Sequence, residues 1–244
     1  MTFDWTGKTY WLVGASEGLG RALAEELAAA GATLCLSARN AERLQELADS
    51  LPGHHIVAAC DVRDTVSVQA AFESLPPLDG VICNAAFYEP VTATAWDADA
   101  VEAMFDVNLT GTARVLGCAV PAFVARGKGH MALVGSLAGY RGLPGSIGYG
   151  SSKAGVIHLA ESLRCDLPRD RFTIQVINPG FIETRLTAKN DFKMPFIMTA
   201  EAAAQRARKA LETGRFRTNF PRRFALLFRL AQFLPDWAYF RLMR

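Results

Sequence analysis

A chain of 244 residues, half of them hydrophobic and a fifth charged, is long enough for a large buried core and too apolar to stay disordered. Its formal charge of +2 is too small for the body of the protein to bind nucleic acid. Short apolar runs then alternate with helical patterns. The runs are "TYWLVGA" (9–15), "ATLCLSA" (32–38), "HIVAACDV" (55–62), "GVICNAA" (80–86), "HMALVGS" (130–136) and "FTIQVINPG" (172–180). Amphipathic stretches such as "GRALAEELAAAG" and "NAERLQELADSL" lie between them. Near-continuous apolar strands separated by helices predict an α/β domain, a doubly wound, mostly parallel sheet covered on both faces. This domain is expected over 1–214, and "RFRTNF" (215–220) is the candidate for a seventh strand.

Four of the five cysteines, Cys35, Cys60, Cys83, Cys118 and Cys165, lie in apolar or mixed runs, and none has a paired metal spacing. They predict free thiols and a reducing cytoplasm. His54, His55, His130 and His158 also lack ligand spacing, so no metal is expected. The N-terminal "MTFDWTGKTYWLVGA" has no signal pattern, and no run of about 18 uncharged apolar residues predicts a membrane span.

The first strand runs through "GASEGLG" straight into a helix. Glycines there let backbone approach a phosphate, and the helix start offers free amides and partial positive charge. A dinucleotide is the expected ligand. An acid ending the second strand would bind the ribose hydroxyls of NAD, whereas this strand ends "LCLSARN". Arg39 suits a 2′-phosphate, so NADP(H) is expected and NAD(H) is the alternative.

Tyr149 and Lys153 in "GYGSSKAGV" stand one helical turn apart on one face. With this pair the chain resembles the short-chain dehydrogenase/reductase family, over about residues 7 to 213. Gly14, Gly18 and Gly20 match its glycine turn, Asp61-Val62 its adenine-contacting acid, and Asn84-Ala85 its Asn-Ala strand end. Asn108 falls at the family's helical asparagine, and Ser136 lies thirteen residues before Tyr149. "PGFIET", 179–184, matches the segment over the nicotinamide. Val13 and Ala86 depart from the pattern, and Glu17 stands where many NADP-using members carry a basic residue.

The resemblance implies a Rossmann-like fold and a catalytic set of Asn108, Ser136, Tyr149 and Lys153. It implies cofactor contacts from Gly14, Ser16, Glu17, Gly18, Leu19, Gly20, Arg39, Asp61, Val62, Asn84, Ala85, Tyr149, Lys153, Pro179, Gly180, Ile182 and Thr184. A free phenol has a pKa of about 10, and a neighbouring ammonium lowers it, so Tyr149 reads as the proton donor to a carbonyl accepting hydride. Ser136 would orient the substrate oxygen, and Asn108 would join Lys153 to a water chain. Gly148, Gly150, Ser151 and Ser152 would leave room for the cofactor. The expected activity is that of a carbonyl reductase or alcohol dehydrogenase; a catalytically silent nucleotide-binding regulator and an epimerase or dehydratase are the alternatives.

The resemblance implies a lid at 185–200, where Phe192, Met194, Phe196, Ile197 and Met198 would line an apolar pocket for a lipophilic substrate. The resemblance also implies a homodimer or homotetramer paired through the helix around 105–123 and the Tyr149 helix. The tail 215–244 carries seven arginines against Asp236 alone, while the remaining residues hold 19 basic and 23 acidic side chains. Such asymmetry predicts a separate partner for the basic end. An amphipathic helix from Arg222 would pack on the lid or a second subunit, or lie peripherally on an anionic membrane.

Overall fold

The computed structural model describes residues 3–243; Met1, Thr2 and Arg244 lie outside it, the last being one of the tail's seven arginines. Seven strands form one parallel sheet in the order β3-β2-β1-β4-β5-β6-β7. They are β1 (Thr9–Val13), β2 (Thr33–Ser37), β3 (Ile56–Val57), β4 (Gly80–Cys83), β5 (Gly129–Val134), β6 (Phe172–Pro179) and β7 (Arg217–Phe220). The chain winds outward from β1 in one direction and from β4 in the other. Ligands of such sheets lie at that switch point, beyond the carboxyl ends of the strands.

Alternation along each strand divides the core into two layers. Tyr10 and Leu12 of β1 face α1 (Gly18–Ala29), α2 (Ala41–Ser50) and α7 (Ala200–Glu212). Trp11 and Val13 face α3 (Thr65–Glu73), α5 (Gly111–Arg126) and α6 (Ile147–Asp166). Each layer buries mainly Leu, Val, Ile and Ala, which accounts for the apolar strands.

Three elements differ from expectation. The run 55–62 forms a strand of only two residues, because β3 is an edge with a single neighbour; Ala58 N and Cys60 N still bond to Leu36 O and Ala38 O as the chain leaves. The tail helix is two helices, α8 (Arg222–Ala231) and α9 (Asp236–Leu242), separated at Pro235, which cannot donate within a continuous helix. Finally, α4 (Ala98–Phe105), a π-helical turn (Asp106–Thr110) and α5 form one rod, Ala98–Arg126, long and apolar enough by length and composition to cross a membrane. Charges interrupt it in sequence, and Val115, Leu116, Ala119 and Phe123 are buried in the layer against the sheet.

Of the cysteines, Cys35, Cys60 and Cys83 are buried, Cys118 is half-buried and Cys165 is exposed; all are free. Burial pushes the Cys35 and Cys83 thiols up to about 12. His130 is likewise held neutral inside, between Tyr10 Oη at 2.8 Å and Gln175 Oε1 at 2.7 Å.

Candidate active site

The turn after β1 is built for close backbone approach. Gly14 has φ +89°, and a Cβ there would lie 2.5 Å from Ala85 N. A Cβ on Gly20 would overlap the Gly14 carbonyl, so only glycine lets α1 start this near β1. Asn84 fixes the other side, with Nδ2 donating to Gly14 O at 2.8 Å and its backbone N to Val13 O at 2.9 Å. Glu17 precedes α1 without capping it, so the first amides of the helix have no side-chain acceptor from that position. A cleft of about 1200 Å³ opens here along the strand ends.

Nearly all the expected cofactor residues line that cleft: Gly14, Ser16, Glu17, Gly18 and Leu19 from the turn, Asn84 and Ala85 just after β4, and Pro179 ending β6 with Gly180, Ile182 and Thr184 beyond it. Gly20 does not, because its part is packing behind the turn. At the far end stand Arg39, Asp61, Val62 and, unforeseen, Arg43 and Arg63. Arg43 sits in the first turn of α2, next to the Asn40 cap, which accepts from its backbone N at 2.8 Å. Glu17 therefore does not leave Arg39 alone. Its carboxylate lies 2.6 Å from Arg185 Nη2 and 3.6 Å from Arg43 Nη1, spanning from the glycine turn to the lid. Asp61 is gripped by Arg63 at 2.7 Å, which holds its carboxyl below the usual range.

Ser136, Tyr149 and Lys153 face the same cleft, between β5 and the start of α6. Burial pushes the Tyr149 phenol up to about 12, opposed by the Ser136 hydroxyl. Burial also lowers Lys153 to about 8. Here the expected lowering of the phenol by Lys153 is not met. The ammonium donates to Val134 O at 2.8 Å and stands 5.9 Å from the Tyr149 ring centroid. Tyr88 closes the other side of the phenol, its ring edge-on at 5.1 Å.

Asn108, fully buried, lies behind the wall rather than in the cleft. Its Oδ1 accepts from Phe87 N at 2.7 Å, and Nδ2 donates to Phe87 O and Ser152 Oγ at 3.0 Å each. That amide is fully used in bracing the chain after β4 against α6. The small residues around Tyr149 serve packing more than cofactor room. A Cβ on Gly148 would meet Met104 Cε at 2.5 Å, and one on Gly155 would meet Leu109 Cδ2 at 2.7 Å. They let α6 lie close against α4 and the π-turn.

The lid corrects the expected pocket. Of its five apolar residues only Phe192 reaches the cleft. Phe196 and Ile197 are exposed, Met194 Sδ accepts from Asn190, and Met198 packs into the α1–α7 core. The aromatic wall comes instead from Phe181 beside Gly180 and from Phe224 and Phe228 of α8. The wide apolar face of the tail was the signal for the last two, and its expected packing on the lid is met where Phe224 lies 5.7 Å from Phe196; that it also walls the cleft was not readable.

Fold and cleft together define a doubly wound α/β protein with a glycine turn after β1 and a Tyr–Lys pair at the strand ends. The chain belongs to the short chain dehydrogenase family, whose model matches residues 8–194. It is 34% identical over 236 residues to an uncharacterized oxidoreductase of Myxococcus xanthus, across 94% of this chain and 93% of the relative. Over 186 residues it is 38% identical to a sulfoacetaldehyde reductase of Chromohalobacter salexigens, covering 72% and 73% of the two chains. A short-chain dehydrogenase from Sphingobium yanoikuyae, solved in complex with NADPH, shares the fold with a TM-score of 0.82 at 24% identity, over 97% of this chain and 95% of that one. The protein is thus an oxidoreductase of a family that uses NAD(P)(H).

Proposed function

We propose that this protein is an NADPH-preferring reductase, working reversibly as a dehydrogenase, on a lipophilic ketone or aldehyde. The observation that carries this reading is one cleft lined by the buried Tyr149 phenol with Ser136 and Lys153, by the guanidiniums of Arg39, Arg43 and Arg63, and by an aromatic wall.

The cleft fits a dinucleotide. A Cβ at Gly14 would strike Ala85, the uncapped start of α1 suits a diphosphate, and Arg39 with Arg43 suits a 2′-phosphate. Lys153, Asn84 and the 179–184 segment would hold the nicotinamide half. When bound, the reduced cofactor supplies a hydride to the carbonyl carbon. The chain's own work is to place and move the proton. Ser136 Oγ donates to the carbonyl oxygen and orients it. Tyr149 Oη, kept protonated by burial, gives that oxygen its proton, so the product is the neutral alcohol. Lys153, held at the end of β5 by its bond to Val134 O, serves the nicotinamide half rather than the phenol. Asn108 is a positioning residue, bracing Phe87 and Ser152 beside the pair. In oxidation each proton movement reverses.

The test is nucleotide oxidation with a panel of aliphatic and aromatic carbonyls, using NADPH and NADH in parallel. NADPH is expected to be the more efficient. Tyr149→Phe should bind nucleotide as the wild type does and lose about two to four orders of magnitude in kcat. Near-normal turnover in that variant, or nucleotide binding without oxidation by any carbonyl, would overturn the reading.

A further inference from the structure

The helices α8 and α9 are firmly held on one side. Phe224 and Ala225 are buried against Leu137, and Phe228 meets Phe224 edge-on at 4.9 Å. Arg141 acts as a clasp, donating to Ala231 O and Leu234 O at 2.7 Å each and to Asp236 at 2.6 Å. Its guanidinium covers the Tyr239 ring at 3.9 Å, and Tyr239 Oη donates to Gly142 O at 2.6 Å. Nothing about the segment is loosely attached.

The other side is unpartnered. Leu226, Leu227, Leu230, Phe233, Trp237 and Phe240 are each between 53% and 85% exposed. Leu226 and Leu230 stand one turn apart on α8, and Phe233 follows in the turn after it, its N bonded to Leu230 O at 3.0 Å, so the three form a surface and not scattered points. Arg222, Arg223, Arg229 and Arg241 are exposed beside them and form no ion pair among the described residues. The segment's single acid, Asp236, is taken by Arg141. Among the described residues the outer surface therefore offers large apolar groups and four unpaired cations against one exposed carboxylate, itself bonded to Arg141.

We propose that α8 and α9 dock this protein on an anionic phospholipid surface. The leucines and aromatics enter the boundary between headgroups and acyl chains, and the arginines meet lipid phosphates. Charge argues against a second copy as occupant. A two-fold contact would bring four unpaired arginines of each copy onto their own equivalents, with only Asp236, already bonded to Arg141, to receive them. Continuity with the cleft adds a consequence. Exposed Phe196 of the lid lies 5.7 Å from Phe224, and Phe192 lies 5.8 Å from Phe181. Apolar surface thus runs from the docking face to the aromatic wall, and a lipid-dissolved carbonyl would enter along it. That consequence rests on the function proposed above; the docking does not.

The experiment is flotation of the full chain, without nucleotide or substrate, on phosphatidylcholine vesicles with and without phosphatidylglycerol, at low and high salt. Binding is expected on the phosphatidylglycerol vesicles at low salt and is weakened by high salt. Arg229→Ala should lower partitioning about fivefold, the worth of one cation near an anionic surface. The double variant Phe233→Glu/Trp237→Glu should lose flotation while keeping its melting temperature, since both side chains are in solvent. Tyr149→Phe should float like the wild type, so failure of the docking and failure of the chemistry are separable. Absence of flotation at low salt, equal flotation on both vesicle types, or a smaller particle by light scattering in the double variant would overturn the proposal, the last pointing to a second copy.

Discussion

Lys153 carries a conflict that a purely structural residue would not. It is 2% exposed, its ammonium has one carbonyl partner, and burial has moved its pKa from 10.5 to about 8. Below pH 8 the folded state keeps a charge that the interior disfavours. Between 8 and the unfolded value the native lysine is neutral while the unfolded one still binds its proton, so stability rises with pH across that window. A shift of that size corresponds to roughly 3 kcal/mol of destabilisation at neutral pH as an upper bound. Replacing the ammonium with an apolar chain of similar length removes the penalty along with the Val134 bond. Lys153→Met is therefore expected to melt at or above the wild-type temperature at pH 7, with the advantage shrinking by pH 10, and to lose turnover. A variant that melts several degrees below wild type at pH 7 would show that the Val134 bond outweighs the buried charge.

Between residue and fold stands the seam where α6 meets α4 and the π-turn. Gly148 and Gly155 bring these backbones together, and Asn108 locks the seam from behind through Ser152. Tyr149 is adjacent to the tightest contact. Gly148→Leu raises helix propensity but forces a side chain into Met104 and toward Val101 Cα. Such overpacking costs about 1–3 kcal/mol, a melting point lower by several degrees in a chain of this size. The kcat should fall more than the nucleotide affinity, because the phenol moves and the glycine turn does not. A lower melting point with unchanged kcat would show that the seam does not place Tyr149. This scale also marks what was legible in sequence. The glycine turn, the Tyr–Lys spacing and all seven strands, β7 within 215–220 included, follow from local residue order, since each depends on neighbours within one turn or one strand. Arg43, Phe181 and the Phe224–Phe228 wall were not legible, because their meaning comes from which elements converge on the cleft. The small residues of α6 were misread for the same reason: an open face and a close-packed one need the same side chains until the partner helix is known.

At the scale of the molecule two surfaces remain to be distinguished, the α8–α9 face and the outer side of α5. Along α5 the exposed positions include Ala113, Gly117 and Val124, with Phe105 exposed just before the π-turn. A Cβ on Gly117 would meet nothing within 4 Å, so a partner's backbone can come close there. On α6 the exposed Ala154 and His158 lie one turn apart. Small residues at Ala113, Gly117 and Ala154 beside the apolar Phe105 and Val124 favour a two-fold contact in which each helix meets its own copy. We therefore expect a particle of at least twice the chain mass by light scattering at micromolar concentration. Gly117→Arg should reduce it to the monomer with little change in fold, because the added side chain fits within one chain and fails only between two. Since Phe233→Glu/Trp237→Glu alters the other face, it should leave the assembly intact. A monomeric wild type, or an assembly indifferent to Gly117→Arg, would place self-association elsewhere on the molecule.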